Sequence, residues 1–211
     1  MAFFCVKLLI YTKMKYLKLF EGYQTESEVA EICRKYNIEN WTLNSDGLVD
    51  VNGDVHLAFK RLNKIPLKFG TVTGDFDFDC NRLTSLEGAS HTVDNFFIFD
   101  NEKIYTDKLT SFEFAPKYVG AGFSCRGHNI RSFEGLVNIG GYFICDGSPL
   151  NEIWSLIKDE FVNNWDNEQM DFFNDLDIIR GEEIAIERLN FFLEEIGKEP
   201  VESVKGYKNI Y

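Results

Sequence analysis

The sequence predicts an α/β repeat solenoid of five short units with a parallel strand ladder, an N-terminal helix cap and a C-terminal helical cap. Three observations carry this: apolar columns in phase through five units, glycine-bearing turns between them, and amphipathic flanks. With Val51, Val72, Val93, Val119 and Ile139 as first positions, the offsets are 21, 21, 26 and 20 residues. Four residues on stand Val55, Phe76, Phe97, Phe123 and Phe143; six on stand Leu57, Phe78, Phe99, Cys125 and Cys145. Eleven on come Leu62, Leu83, Ile104, Ile130 and Leu150. Fourteen on come Ile65, Leu86, Phe112 (with five inserted residues allowed in the third unit), Phe133 and Ile153. A unit of this length cannot bury its own apolar face, so the units must stack and share one core.

Taken in chain order, residues 1–13 form an apolar N-terminal extension interrupted by Lys7. It lacks a basic leader and a small-residue cleavage site, and it is too short to span a bilayer. Residues 14–48 are assigned to the N-terminal helical cap. Within them Thr25 to Tyr36 reads as a helix, because Thr25 and Glu28 form a capping box ahead of an apolar face of Val29, Ile32 and Cys33. Residues 49–150 form the repeats. The alternation at Phe76 and Phe78 suits a short strand, and Glu87-Gly88, Glu134-Gly135 and the glycines at 120, 122, 140 and 141 supply turns. Residues 151–211 form the C-terminal cap, with helices expected over 151–164, about 168–175 and about 182–196, the last stopped by Gly197.

The second unit, Phe76 to Leu86, fits the leucine-rich pattern L-x-L-x-x-N-x-L-x-x-L, with phenylalanine in the first two leucine places. The asparagine of that pattern is present only at Asn81; Lys60, Glu102, His128 and Ser148 replace it elsewhere, which predicts turns held less uniformly. The strings Leu83-Thr-Ser-Leu-Glu-Gly-Ala and Pro116-Lys-Tyr-Val-Gly-Ala-Gly-Phe resemble the "LTSLEGAP…VGGDF" repeats of leucine-rich-repeat-like proteins of tailed bacteriophages and their bacterial hosts. The likeness extends over roughly residues 14–211, taking in Asp46 to Asp54 and the tail ending Gly206-Tyr-Lys-Asn-Ile210. It implies a repeat fold and phage origin, with Met14 as the ordinary start and residues 1–13 as an upstream extension. It implies no activity.

The chain has 211 residues, 34 acidic against 22 basic, for a formal net charge of −12. That balance disfavours nucleic acid or an anionic membrane, which need clustered Lys and Arg. It suits either plain solubility or a basic protein partner. The five cysteines form no Cys-x-x-Cys pair and read as small core residues, with Cys125 and Cys145 in one column. Their odd count favours a reducing cytoplasm, the host's if the chain is phage-encoded. His56, His91 and His128 make no metal-ligand spacing. Asp50-Val-Asn52-Gly-Asp54 begins like a calcium loop, but Val55 and Arg61 stand where an EF-hand needs Gly and Glu. No nucleophile elbow, phosphate-cradling loop or kinase set is present in the sequence, so neither enzyme nor cofactor nor metal is expected.

If the columns point inward, alternate strand residues point out. They give an acidic half, with Asp75, Asp77 and Asp79, and a mixed half with Phe96, Ile98, Asp100, Arg126, Tyr142, Ile144 and Asp146. These ten residues are the expected partner-binding surface, since apolar anchors beside charged side chains suit a protein interface. Asp75, Asp77 and Asp79 on one strand repel one another unless something basic or metallic meets them. The third unit's extra residues, Tyr105 to Lys108 and a neighbour, should bulge from one side. Three classes remain open: a cytoplasmic adaptor binding a host protein, a structural or virion-associated component, and an unrecognised enzyme or metal-binding protein. The first leads. Oligomeric state is not legible.

Overall fold

The computed structural model describes residues 24–101, 108–136, 138–161 and 167–211. The expected extension over residues 1–13, the proposed start at Met14 and most of the third-unit insertion lie outside the described residues. What is described is an α/β protein built on two parallel strand ladders. Ladder A runs in the order β1 (Trp41–Leu43), β2 (Val49–Val51), β4 (Phe69–Val72), β6 (Thr92–Val93), β8 (Tyr118–Val119), β10 (Asn138–Ile139). Ladder B runs β3 (Val55–His56), β5 (Phe76–Asp77), β7 (Phe96–Ile98), β9 (Gly122–Ser124), β11 (Tyr142–Ile144).

Strand register follows the sequence columns. In ladder A Val51, Val72, Val93, Val119 and Ile139 are successive partners. In ladder B Val55, Phe76, Phe97, Phe123 and Phe143 are. Every unit therefore contributes two short strands where the periodicity predicts one. The first column does not merely precede a strand; with its β-branched neighbours Thr71 and Thr92 it forms one. A two- to four-residue strand is too short to show an alternation of its own. Between the strands the chain turns a tight corner. A Cβ added at Gly141 would stand 1.8 Å from the carbonyl oxygen of Ala121, so the fifth corner needs glycine to approach the fourth.

The columns converge on an aromatic core. Phe69, Phe76, Phe97, Phe123 and Phe143 are each no more than 5 % exposed, and neighbouring rings meet at 4.9, 5.9, 5.2 and 5.7 Å. The line continues through Trp154, while Phe133 meets Phe173 and Phe173 meets Phe192, which joins the C-terminal helices to the units. Cys125 and Cys145, both fully buried, take the places in the column that Phe78 and Phe99 occupy in earlier units. Burial pushes the Cys145 thiol up to about 12, and the cysteines at 33, 80, 125 and 145 are buried and act as small apolar groups.

At the N-terminal end α1 (Glu26–Tyr36) starts at the predicted capping box: Thr25 Oγ1 accepts from Glu28 N–H while Glu28 accepts from Thr25 N–H. Its buried Val29 and Cys33 join the core. The cap is not only helical, because β1 pairs antiparallel with β2 and closes ladder A. The C-terminal cap is likewise mixed. After α2 (Leu150–Ile157), a 3-10 turn (Lys158–Glu160) and α3 (Asn167–Asp175) come β12 (Ile179–Arg180), β13 (Glu183–Ala185), α4 (Ile186–Glu195) and β14 (Lys208–Ile210). The helix expected from about residue 182 starts at Ile186, since Glu183–Ala185 are held between β12 and β14. Gly197 ends it as predicted, at φ 73° with Lys198 N–H donating to Leu193 C=O. Tyr207 Oη donates to Arg131 C=O at 2.6 Å and the Arg131 guanidinium donates to Gly206 C=O, which seats the tail on the units.

The asparagine place of the repeat is met in two chemistries. Buried Asn81 donates to Leu57 C=O and Phe78 C=O, both 2.8 Å, and accepts from Leu62 N–H at 2.9 Å. His128 does the corresponding work two units on: Nδ1 accepts from Leu109 N–H at 3.1 Å and Nε2 lies 2.5 Å from Phe99 C=O. A backbone donor on one side and a carbonyl on the other assign the tautomer, with the proton on Nε2. Histidine thus replaces asparagine without loosening that turn. The bonding also corrects one column. Leu109, not Ile104, is the counterpart of Leu62, so the inserted residues precede it.

A column of left-handed backbone follows ladder B. Phe59 (φ 59°), Cys80 (φ 54°), Gly127 (φ 76°) and Gly147 (φ 77°) occupy equivalent places. Only glycine adopts that region without steric cost, about 1–2 kcal/mol for other residues. Phe59 is also 67 % exposed. Phe59→Gly is therefore expected to leave stability unchanged or raise it by about 1 kcal/mol, part of the relief being offset by glycine's freedom in the unfolded chain. A urea titration of both proteins checks this.

Candidate interaction surface

The ten residues predicted to form a partner surface share the outer face of ladder B. On β7, β9 and β11 they make a grid of three rows. Phe96, Gly122 and Tyr142 are in register in the first row, and Ile98, Ser124 and Ile144 in the second. The third row is Asp100, Arg126 and Asp146, where Arg126 Nη1 donates to Asp100 Oδ2 at 2.9 Å and Nε lies 3.5 Å from Asp146 Oδ2. The middle strand carries the small residues. Gly122 and Ser124 face outward as the alternation predicts, but they are buried between their larger neighbours. The rings of Phe96 and Tyr142 close over Gly122, 5.7 Å apart, and a Cβ there would meet Tyr142 at 2.7 Å. Tyr142 still keeps 51 % of its surface in solvent. Phe96, Ile98 and Ile144 are half-buried, and Arg126 and Asp146 are exposed.

The acidic half has a structural role that spacing alone does not show. Asp54, Asp75, Asp79 and Asp100, in the first three units, each accept a backbone N–H from the next unit. Asp54 Oδ1 accepts from Asp75 N–H at 2.8 Å, and Asp75 Oδ1 from Phe96 N–H at 3.2 Å and from the Asn95 side chain. Asp79 Oδ1 accepts from Asp100 N–H at 2.6 Å; Asp100 Oδ1 accepts from Arg126 N–H and from Ser124 Oγ, both 2.7 Å. Asp77 Oδ1 takes Asp79 N–H at 3.0 Å. The like charges are thus met by backbone amides, each a charge-assisted hydrogen bond. His56, exposed, lies 3.7 Å from Asp54 and 3.9 Å from Asp77. Among the described residues no group of three or more His, Cys, Asp or Glu is arranged to hold a metal ion.

Asp79 is the most perturbed carboxylate of the face. Burial raises its pKa to about 7; the charges of Asp100 and Asp77 add to this, and the Asp100 N–H and Arg126 oppose it. Because the folded value exceeds the unfolded one, the native state binds more protons between about pH 4 and 7, and stability falls as pH rises through that window. Asp79→Asn keeps an oxygen for Asp100 N–H and removes the charge. It is expected to be near neutral at pH 5 and stabilising by about 1 kcal/mol at pH 8, solvent screening having reduced the effect. Equal effects at the two pH values would refute this origin.

Among the described residues no helix is long and apolar enough to cross a membrane. Comparisons with protein-family models, with curated proteins and with solved structures find no match.

Proposed function

We propose that this protein is a non-catalytic binding module, a leucine-rich-repeat-like solenoid encoded by a tailed phage, which engages a host protein in the host cytoplasm through the outer face of ladder B. The observation that carries this reading is the grid on β7, β9 and β11. It sets apolar side chains at strand pitch beside a row of paired charges, the arrangement of anchors and rim found at protein interfaces. The phage origin is supported by the resemblance of the Leu83–Ala89 and Pro116–Phe123 strings. The excess of carboxylates over that face and the chain's net charge of −12 favour a basic partner and disfavour nucleic acid or an anionic membrane.

The test is affinity capture from a lysate of the bacterial host, with the parent and an Ile98→Asp, Asp77→Lys double variant compared at equal folded concentration. A protein retained by the parent and lost by the variant supports the reading. Retention indifferent to both substitutions, or no retained protein, overturns it.

A further inference from the structure

Among the described residues the asparagine place of the repeat is filled by Asn81, His128 and Ser148, and the Ser148 side chain makes no bond there. Each follows a residue of left-handed backbone, Cys80, Gly127 or Gly147, and stands two residues before a column residue, Leu83, Ile130 or Leu150. The three side chains therefore leave equivalent corners. Asn81 reaches Leu57 C=O and Leu62 N–H of the unit before it, at 2.8 and 2.9 Å. His128 reaches Phe99 C=O and Leu109 N–H in the same way. The groups that correspond for Ser148 are Cys125 C=O and Ile130 N–H. Cys125 follows Leu57 and Phe99 in one column, and Ile130 follows Leu62 and Leu109 in another.

Cys125 and Ile130 are 0 % exposed and Ser148 is 5 % exposed. Among the described residues Ser148 Oγ, Cys125 C=O and Ile130 N–H all lack a hydrogen-bond partner. Side-chain length explains this, because serine's oxygen stops one bond short of where an amide's oxygen and nitrogen stand. Buried polar groups left unpaired are costly, so a further group must complete the corner. It must donate to a carbonyl, accept from an amide and pair with a hydroxyl. The N–H repels a cation and the C=O repels an anion, whereas water meets all three demands. The place adjoins a cavity of 580 Å³, lined by Asn129, Ser148 and Asn151 among others, which gives water a path from solvent.

We propose that a buried water completes the corner between the fourth and fifth units, bonded to Ser148 Oγ, Cys125 C=O and Ile130 N–H in place of an asparagine side chain. Three protein partners are the usual complement of a buried water. Arg131, next to Ile130, seats the C-terminal tail through Tyr207, so the water belongs to the joint on which that cap rests. The repeat then holds its corners by an amide, by an imidazole, and by a hydroxyl with its water.

The test reads the Ile130 amide of the isotope-labelled full chain in water-selective NOE and ROE spectra. A contact with a long-lived water, of opposite sign in the two spectra, is expected in the parent and in Ser148→Ala. The alanine variant keeps the carbonyl and the amide and removes the hydroxyl, whose own exchanging proton would mimic water. Ser148→Asn should abolish the contact and raise the thermal midpoint by about 2–4 °C, as direct bonds replace a held water. No contact in the parent, a contact that vanishes in Ser148→Ala, or one that persists in Ser148→Asn overturns the proposal. A midpoint unchanged or lowered in Ser148→Asn would show that this corner does not match that of Asn81, and would overturn it as well.

Discussion

Phe97→Ala is expected to lower the free energy of unfolding by about 3–5 kcal/mol, the largest effect of any single substitution considered for this chain. Phe97 is fully buried on β7, and its ring meets Phe76, Phe78, Phe99 and Phe123 at 5.9, 5.2, 5.4 and 5.2 Å. Alanine would remove the transfer free energy of the ring and leave a hole that strands of two or three residues cannot close over. It would also delete four ring pairs of roughly 0.5–1.5 kcal/mol each, a contribution that overlaps the first. The adjacent Phe96 provides the control, because it lies on the same strand but points outward. Phe96→Ala is expected to lose only about 1 kcal/mol. Urea unfolding followed by circular dichroism separates the two, and equal midpoint shifts would contradict the inward assignment of the phenylalanine column. Since the ladders connect each unit to its neighbours alone, the Phe97→Ala transition should also broaden as the two flanks lose their coupling.

Most of the architecture was legible because burial imposes a period. Val55, Phe76, Phe97, Phe123 and Phe143 recur at offsets that allow one register, and that register is the one observed. The capping box at Thr25 and the stop at Gly197 were legible because each rests on local bonds between near neighbours. What sequence did not show depends on contacts across units. The second ladder was hidden because its strands are too short to alternate. The aspartates read as mutually repelling because spacing says nothing of the amides one unit away that they accept from. The burial of Gly122 and Ser124 was hidden because alternation gives direction and not the height of the neighbours, here Phe96 and Tyr142. Asn95 was overlooked on the same ground, as its partner Asp75 belongs to another unit.

His128 is the sharpest instance, and it yields the second large effect. Read as a departure from the asparagine place, it predicts a looser turn; in the structure it makes the two inter-unit bonds that Asn81 makes to Leu62 N–H and Leu57 C=O, here with Leu109 N–H and Phe99 C=O. His128→Leu is expected to destabilise by about 2–4 kcal/mol, because it strands the buried Leu109 N–H and Phe99 C=O at once. His128→Asn should recover most of that loss, since an amide offers the same donor and acceptor. Acid distinguishes the two native-like proteins. Burial holds the His128 pKa below the ordinary histidine value, against the opposing pull of Phe99 C=O and Asp100. The unfolded chain therefore binds more protons than the native one just below about pH 6.5, and stability falls on acidification through that window. Protonated Nδ1 would face Leu109 N–H donor to donor. Urea unfolding at pH 5.5 and 7.5 should show this acid loss in the parent and its absence in His128→Asn; an identical loss in both would assign the acid sensitivity elsewhere. Phe99 and Leu109 bracket the third unit's insertion, so the same bonds hold both of its ends. The imidazole acts there beside the backbone bonds from Asn101 N–H to Arg126 C=O and from Asn129 N–H to Leu109 C=O, which hold the same two flanks to the fourth unit.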